Sequence, residues 1–333
     1  MQIGVMGAGT IGCYLGGRLA QAGHSVTLIG RPWLGEHLRD AGLTLTRFQR
    51  PDVHLPLGPG LSFSTDPAAL GSAEVVLVTV KGRDTASAGR QLSPHLPVGG
   101  TVVSFQNGLR NAAVLREVLP SHRVVAGMVP FNVVRLPPTR FHQGTSGELF
   151  IGAAPLSAAL ARSLQQAGLP TLISQDMDGV LLTKLVFNLN NAINALSGLT
   201  LKAQLSDPRF RRLTAAVFRE GLSVFKAAGT PVRRAGRMVP QIAPYMLRLP
   251  NWLLFRLAAP MIQIDPTARS SMWEDLEQRR PTEIGDLNGH LVALAQEVGA
   301  PAPLNAHLVG LIRQAESAGA GSPGLAPEAL WPS

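Results

Sequence analysis

A lysine and two asparagines occur at helical spacing in a segment that is otherwise largely apolar. Residues 180–196 read VLLTKLVFNLNNAINAL, and Lys184, Asn188 and Asn191 share one narrow stripe of a predicted helix. Asn is a poor helix former, whereas a solvated helix face usually carries Glu, Lys, Arg and Gln. The pattern therefore favours a buried polar stripe that binds a polar substrate. Hydrogen bonding between helices is the alternative.

The use of lysine in this chain is itself informative. Of the 30 lysine and arginine residues, four are lysines, namely Lys81, Lys184, Lys202 and Lys226. The chain places Arg almost everywhere else that it needs a cation. Since only Lys carries a compact ammonium group that can readily lose its proton, a lysine within a motif is a candidate for a role that Arg cannot fill.

The first 31 residues contain a complete G-x-G-x-x-G motif between two predicted strands. The strands cover residues 2–6 and 25–29, a helix ending near Gly23 lies between them, and the motif reads Gly7-Ala8-Gly9-Thr10-Ile11-Gly12. In this context Gly7 allows a tight turn, Gly9 lets the backbone approach a pyrophosphate, and Gly12 lets the helix pack closely on the strand. The diphosphate would bind N–H groups at the helix N-terminus. The arrangement predicts a dinucleotide-binding unit.

The residue after the second strand indicates which nicotinamide cofactor is preferred. Sites for NAD usually carry Asp or Glu at this position, which accepts a hydrogen bond from the ribose 2′-OH. Here the strand ends in Ile29-Gly30-Arg31, without an acid. Because Arg can bind a phosphate through two parallel hydrogen bonds, Arg31 favours NADP(H) over NAD(H).

Three further polar residues lie at the ends of predicted strands. Lys81 follows a β-branched run over residues 74–80, Asn107 follows a strand over 101–105, and Asn132 lies in the turn after a strand over 124–127. Ligands of open parallel sheets bind outside the carboxyl ends of the strands. We therefore expect these side chains on the cofactor edge of the sheet.

Composition limits the classes of protein to which the chain can belong. Its 333 residues, of which 45% are hydrophobic and 15% charged, predict a compact two-domain protein. The net charge of +9 comes from scattered arginines with short clusters such as residues 209–212, so we expect no nucleic-acid partner. The single Cys13 excludes an internal disulfide, and no spacing predicts a metal site. Charged residues and prolines interrupt the apolar segment 246–264, so we expect a cytoplasmic protein without a membrane span.

The order of the predicted elements gives a fold class. Strands alternate with helices up to about residue 175, which predicts an α/β fold with an N-terminal Rossmann-type, doubly wound parallel sheet. Beyond Asp176 helical patterns dominate, over residues 178–197, 207–228, about 266–279, and 281–298. We therefore expect an NADP-binding domain over 1–173 and an all-α substrate and catalytic domain over 174–317. The tail over 318–333, rich in Gly, Ala and Pro, is predicted to be disordered.

With these motifs assembled, the chain resembles the ketopantoate reductase (2-dehydropantoate 2-reductase) family over almost its whole length. The resemblance rests on the glycine motif and on five further segments: Val78-Thr79-Val80-Lys81, Gln106-Asn107-Gly108, Lys184-Leu185-Val186-Phe187-Asn188, Ser270-Ser271-Met272 and Arg280-Pro281-Thr282-Glu283-Ile284. It implies an oxidoreductase of pantothenate biosynthesis that reduces a 2-oxo acid, ketopantoate, to a 2-hydroxy acid by hydride transfer from NADPH. A homodimer is also possible.

The resemblance also implies roles for individual residues. Lys184 would be the proton donor, and Glu283 would lie beside it and the nicotinamide. The implied cofactor contacts are Gly7, Ala8, Gly9, Thr10, Ile11, Gly12, Arg31, Lys81, Asn107, Asn132 and Glu283. The implied substrate contacts are Asn107, Lys184, Asn188, Ser270 and the next asparagine of the helix, either Asn191 or Asn194. On sequence alone, Glu283 could also be an acid that complements the dipole of the predicted helix 281–298.

One departure from the family pattern leaves alternatives open. The family often carries its second helix asparagine eight residues after the lysine, where this chain has Ala192. The substrate could therefore be another branched 2-oxo acid, as in related hydroxyacid or opine dehydrogenases. A non-catalytic NADPH-binding sensor is the alternative from another functional class, although the presence of Lys184 and Glu283 argues against it.

Overall fold

The structure is a computed structural model that describes residues 1–230, 232–258 and 265–332. It divides into two compact units. Unit 1 comprises Met1–Gln143 and Gly147–Met177, and unit 2 comprises Gly144–Ser146 with the chain from Asp178 onward. The sequence expectation placed the division at 173/174, four residues earlier. Part of the apolar segment 246–264, residues 259–264, lies outside the described residues.

All the strands that the structure describes lie in unit 1. In chain order they are β1 (Gln2–Met6), β2 (Ser25–Ile29), β3 (Leu43–Arg47), β4 (Val53–Leu55), β5 (Leu61–Ser64), β6 (Val75–Val78), β7 (Thr101–Ser104), β8 (Arg123–Met128), β9 (Val133–Leu136), β10 (Arg140–Gln143), β11 (Leu149–Gly152) and β12 (Thr171–Ser174). Its helices are α1 (Thr10–Gln21), α2 (Pro32–Ala41), α3 (Thr85–Leu92), α4 (Asn111–Val118) and α5 (Ser157–Gln166).

The main sheet confirms the predicted fold class. Its strand order is β12-β11-β8-β7-β6-β1-β2-β5, and the six strands from β8 to β5 are mutually parallel. This is the order of a doubly wound dinucleotide-binding sheet, in which β1 lies at the centre. The buried runs of β6 and β7 fit a parallel sheet that is covered on both faces. Strand β11 pairs antiparallel with β8 and parallel with β12.

A second sheet, with the order β4-β3-β10-β9, contacts α1. Strands β9 and β10 form a hairpin, and β10 pairs in parallel with β3. Tyr14 of α1 donates a hydrogen bond to the Gln143 amide oxygen at 2.8 Å and so joins the helix to this sheet. Pairing between strands about a hundred residues apart leaves no local sequence signal.

The described part of unit 2 is helical. Its helices are α6 (Met177–Asn188, starting at the last residue of unit 1), α7 (Asn190–Ser197), α8 (Leu201–Ser206), α9 (Pro208–Ala227), α10 (Ala243–Met246), α11 (Asn251–Ala258), α12 (Ser271–Glu277), α13 (Asn288–Glu297) and α14 (Pro303–Ala318). The predicted helix 207–228 agrees with α9, which Asp207 caps through the Arg209 N–H and which ends before Gly229. Across the described residues, no helix is long and apolar enough to cross a membrane.

Two predicted helices differ from the structure, and a third agrees with it. The helix predicted over 178–197 is present as α6 and α7, which meet at Leu189; this residue has helical dihedrals (φ −56°, ψ −26°), and its carbonyl accepts a hydrogen bond from the Asn288 side chain at 3.2 Å. The helix predicted over 266–279 begins only at Ser271, because Asp265 holds the preceding residues in a turn through Thr267. The helix predicted over 281–298 begins only at Asn288. Helix α14 was not predicted.

The expectation of a disordered tail is corrected. Residues Pro327–Leu330 form a 3-10 helix, and Leu330 is fully buried. The Leu325 N–H donates to the Leu196 carbonyl at 2.8 Å, and the Ser322 hydroxyl donates to the Ala195 carbonyl at 2.6 Å. Two leucines and these hydrogen bonds therefore order a segment whose average composition is typical of disorder.

The carboxylate of Glu220 in α9 joins two helices of unit 2. It accepts hydrogen bonds from the N–H groups of Leu304 and Asn305, at 3.0 and 2.8 Å, and from the Asn305 side chain at 2.6 Å. These N–H groups belong to the first turn of α14, where they have no intrahelical acceptor. A negative charge at this position also complements the helix dipole. Glu220 therefore fixes the start of α14 against α9.

We expect Glu220→Ala to destabilise the protein by about 1–3 kcal/mol, because it leaves first-turn N–H groups of α14 without an acceptor. Denaturant unfolding measures the change. Glu297→Ala, an exposed acid in the same unit, is the matched control and should change the free energy of unfolding by less than about 0.5 kcal/mol. Equal unfolding midpoints for the two variants would contradict this role for Glu220.

Candidate active-site residues

The loop after β1 and the start of the following helix contain two glycines at positions where a side chain would not fit. The N–H groups of Gly7 and Ala8 donate to the Ile29 carbonyl at the end of β2, at 3.1 and 2.7 Å. Gly7 has a φ of +108°, and a Cβ there would lie 2.8 Å from the Val80 backbone nitrogen. A Cβ on Gly12 would collide with the Gly7 carbonyl oxygen. Close packing of loop, helix and strand therefore requires glycine at both positions.

Gly9 has a different environment from the other two glycines. A Cβ built on Gly9 would meet no atom within 4 Å, so the space beside its backbone is open on the protein side. Gly9 is also the N-cap of α1, which has no side-chain cap and no acid in its first turn. The first-turn N–H groups and the helix dipole there suit an anion. The residues present fit the diphosphate of a dinucleotide.

Arg31 lies at the end of β2, beside the glycine loop. It is the N-cap residue of α2, it is exposed, and its carbonyl accepts a hydrogen bond from the Leu34 N–H at 3.0 Å. The loop residues Gly7 and Ala8 hydrogen bond to Ile29, two residues earlier. The structure thus brings Arg31 and the glycine motif to one edge of the sheet.

A buried polar network that the sequence analysis did not identify holds the loops bearing Lys81 and Asn107. The Gln106 side chain donates to the Val80 carbonyl at 3.0 Å and to the Thr85 hydroxyl at 2.7 Å. The Asn111 side chain donates to the Asn107 carbonyl at 2.6 Å. Gln106 belongs to the Gln106-Asn107-Gly108 segment, one of those on which the family resemblance rests. That segment was the signal in the sequence that could have pointed to the network. Because both loops follow neighbouring parallel strands, the network fixes them side by side at the carboxyl edge.

The remaining cofactor candidate of unit 1, Asn132, lies between β8 and β9 and is half-buried. Strand β8 adjoins β7 in the main sheet, and Asn107 follows β7. Lys81, Asn107 and Asn132 therefore follow three consecutive strands at the same edge.

In unit 2, Lys184 and Asn188 lie one turn apart in α6. Lys184 is half-buried, and burial lowers the pKa of its amino group to about 8. Loss of hydration disfavours the charged form, which moves the pKa toward neutrality. Asn188 is 6% exposed, and within the described residues its side-chain amide makes no hydrogen bond. An amide in this position is available to a ligand.

Asn190 and Asn194 of α7 lie outside the predicted polar stripe, and their side chains hydrogen bond to other residues of the protein. The Asn194 side chain donates to the Leu199 carbonyl at 3.0 Å and to the Gln204 side chain at 2.9 Å, and its oxygen accepts the Ser270 N–H at 2.7 Å. Asn190 accepts hydrogen bonds from Gln204 and from Thr214, at 2.7 and 2.9 Å. The alternative of hydrogen bonding between helices therefore describes these two residues.

Asn191 and Ser270 are adjacent. The Ser270 hydroxyl donates to the Asn191 carbonyl at 3.3 Å and also caps α12 by accepting the Trp273 N–H at 3.2 Å. The side-chain amide of Asn191 makes no hydrogen bond within the described residues, and the residue is half-buried. Asn194 thus positions the Ser270 backbone, while the Asn191 amide is available.

Glu283 lies in a turn ahead of α13, outside the helix in which the sequence placed it. It is 8% exposed, and its carbonyl accepts the Asp286 and Leu287 N–H groups at 3.0 and 3.2 Å. The preceding Thr282 N–H donates to the Glu316 carboxylate at 2.6 Å. Helix α14 therefore holds this turn in place. Since Glu283 precedes α13 by five residues, complementing the dipole of that helix does not explain its position.

The chain matches known proteins over most of its length. The model of "Ketopantoate reductase PanE/ApbA" matches residues 3–155, and that of its C-terminal part matches residues 176–316. A 2-dehydropantoate 2-reductase of Halobacterium salinarum is 29% identical over 96% of this chain and 100% of its own.

Solved structures give the same result. A PanE/ApbA family ketopantoate reductase from Ralstonia eutropha is 32% identical, with a TM-score of 0.79 over 96% of this chain and 99% of its own. A D-mandelate dehydrogenase solved with NADH and anilino(oxo)acetate has a TM-score of 0.78 over 96% of this chain and 99% of its own, at 18% identity, which shows a shared fold. Since the two family models together match most of the sequence, the protein belongs to the ketopantoate reductase family of oxidoreductases.

Proposed function

We propose that this protein reduces 2-dehydropantoate (ketopantoate) to pantoate with NADPH, and that Lys184 donates the proton. The observation that carries the proposal is the chemistry of Lys184, a lysine with a pKa lowered to about 8 by burial, one helical turn before the available amide of Asn188. Membership of the family and the activity named for the Halobacterium relative support the choice of substrate.

The residues of unit 1 would hold the cofactor. The open backbone at Gly9 and the N-terminus of α1 would bind the diphosphate, and Arg31 would bind the 2′-phosphate. Lys81, Asn107 and Asn132 would complete the contacts from their neighbouring strand ends. When bound, NADPH supplies the hydride that reduces the carbonyl carbon.

Lys184 would hydrogen bond to the substrate carbonyl oxygen, stabilise the negative charge that develops on it, and deliver a proton to it. A pKa near 8 suits this role, because the amine remains largely protonated at neutral pH yet gives up its proton more readily than an ordinary lysine. Glu283 would lie near Lys184 and favour its charged form, which opposes the effect of burial.

Asn188, Asn191, Ser270 and Asn107 would bind the polar groups of the oxo acid. Between the two asparagines that the sequence left open, we favour Asn191 as the second amide contact. The Asn194 side chain already makes two donor bonds and accepts one, and the residue is fully buried. Asn191 has its amide available beside Ser270.

A second candidate substrate is another branched 2-oxo acid. Ala192 stands where the family often has its second asparagine, and it is fully buried, so it offers a substrate no hydrogen bond. Steady-state kinetics with ketopantoate and a panel of branched and aromatic 2-oxo acids would rank the substrates by kcat/KM. Tight NADPH binding without turnover of any of them would indicate a sensor and would contradict the proposed enzyme.

If Arg31 binds the 2′-phosphate, Arg31→Ala should weaken NADPH binding by about tenfold or more while sparing NADH, because a hydrogen bond to a charged group is lost. Fluorescence titration with each cofactor measures the effect. Arg39→Ala removes a nearby exposed arginine of α2 and serves as the control. Equal losses for NADPH and NADH would make Arg31 a general contact.

If Lys184 donates the proton, Lys184→Ala and Lys184→Arg should each lower kcat by about 10²–10⁴-fold. The Arg variant keeps the charge but holds its proton too tightly, and its guanidinium is wider and planar. NADPH binding should survive in both variants. Near-native kcat in Lys184→Arg would remove Lys184 from the chemistry.

The pH dependence of the same reaction separates proton donation from simple charge. Since the pKa of Lys184 is lowered to about 8, kcat/KM for reduction should fall as the pH rises above about 8, where the amine loses the required proton. For oxidation of the hydroxy acid, which requires the deprotonated amine, kcat/KM should instead rise with pH. The residual activity of Lys184→Arg should not show this fall of kcat/KM above about pH 8. If the fall is retained, the titrating group is a residue other than Lys184.

Asn191 and Asn194 provide a matched pair of variants. Asn191→Ala should raise KM for the oxo acid by about tenfold and leave Tm nearly unchanged, because it removes a hydrogen bond to a charged substrate. Asn194→Ala should lower Tm, since three hydrogen bonds are lost. Unchanged substrate kinetics in Asn191→Ala would exclude it as a contact.

A further inference from the structure

A cavity of about 420 Å³ in unit 2 is lined mainly by arginines. Its lining includes Arg209, Arg212, Arg219, Arg248, Glu328 and Trp331. The size is typical of a site for a small molecule. None of these residues is among those assigned above to the cofactor or the substrate.

Two parts of unit 2 place the arginines together. Arg209, Arg212 and Arg219 lie on one side of α9, at positions three and seven residues apart. Arg248 comes from the segment after α10, and the guanidinium of Arg211 holds that segment. Arg211 donates to the carbonyls of Leu247 and Leu249, at 2.9 and 3.0 Å, on either side of Arg248. The Arg211 side chain, which is 2% exposed, thus fixes the backbone of Arg248 at the cavity.

The charges in this cavity are unbalanced. Asp207 and Glu328 both pair with Arg209, at 2.8 and 3.2 Å. Arg212, Arg219 and Arg248 make no ion pair or side-chain hydrogen bond within the described residues. The acceptors of Arg211 are neutral as well, namely backbone carbonyls and the Asn251 side chain. Arg212, Arg219 and Arg248 are exposed and line one cavity, so their like charges repel one another through solvent, and a bound anion would relieve this repulsion.

We propose that this cavity is a second ligand site, distinct from the cofactor site, that binds a diphosphate-bearing nucleotide. Guanidinium groups from two segments match the oxygens of adjacent phosphates through paired hydrogen bonds. Trp331, whose side chain is 43% exposed at the cavity, offers an aromatic face on which a base can stack. Three arginines without carboxylate partners suit a multiply charged phosphate better than a single carboxylate. The tail, with Trp331 and Glu328, closes one side of the site.

Isothermal titration calorimetry of the full chain with ADP and with inorganic pyrophosphate tests the proposal. The titrations use Gly9→Trp, in which a side chain fills the open space beside the cofactor loop, so that unit 1 does not take up the probe. We expect one site for each probe, and an affinity that falls about tenfold in Arg212→Gln and in Arg248→Gln. Trp331→Ala should weaken ADP binding and leave pyrophosphate binding nearly unchanged. Arg313→Gln, an exposed arginine of α14, makes the same charge change away from the cavity and should bind both probes as the parent protein does.

Several results would overturn the proposal. They are no binding of either probe to Gly9→Trp, equal affinities when Arg212→Gln and Arg313→Gln are made in that variant, or a Trp331→Ala substitution that keeps full ADP affinity. The Tm of each variant without ligand shows that it is folded. Because oxidoreductase activity does not enter the measurement, failure here is distinguishable from failure of the proposed reaction.

Discussion

The placement of polar groups inside an apolar helical unit is the constraint on which unit 2 depends. An unpaired amide or ammonium group that is removed from water costs several kilocalories per mole unless it finds a partner or changes its charge. Three residues of the α6–α7 segment meet this constraint, in two ways, whereas the buried Asn188 amide has no hydrogen-bond partner among the described residues. Asn190 and Asn194 make hydrogen bonds to Gln204, Thr214, Leu199 and Ser270. Burial lowers the pKa of the Lys184 amino group to about 8, because loss of hydration disfavours its charged form.

A chain of hydrogen bonds starts at Leu189, where α6 and α7 meet. Asn288 uses its side-chain amide to donate to the Leu189 carbonyl and to Asn305. Asn305 in turn contacts Glu220, whose carboxylate caps the first turn of α14. Hydrogen bonds therefore run from the helix that carries Lys184 to the start of α14, and from α14 through Glu316 to the turn that carries Glu283. Two residues that the family resemblance assigns to the chemistry are thus held by one helix.

In unit 1 the decisive constraint is the close approach of backbone segments. The N–H groups of Gly7 and Ala8 share the Ile29 carbonyl, and the Thr79 hydroxyl donates to the Gly7 carbonyl at 2.7 Å. Side chains larger than hydrogen at Gly7 or Gly12 would displace these segments, while Gly9 leaves open space. The glycine motif therefore serves packing at two positions and leaves the third available to a ligand.

The sequence alone determined the features that depend on local pattern. The glycine motif and the β-branched runs predicted the sheet, its class and the position of Arg31, because turns and burial are set by neighbouring residues. The tertiary structure decided what depends on distant partners. It joined Leu189 to Asn288, ordered the tail through Leu325 and Leu330, and paired β3 with β10. It also separated Asn191 from Asn194, which the sequence presents as equivalent amides, because hydrogen-bond partners 10 and 76 residues away occupy only one of them.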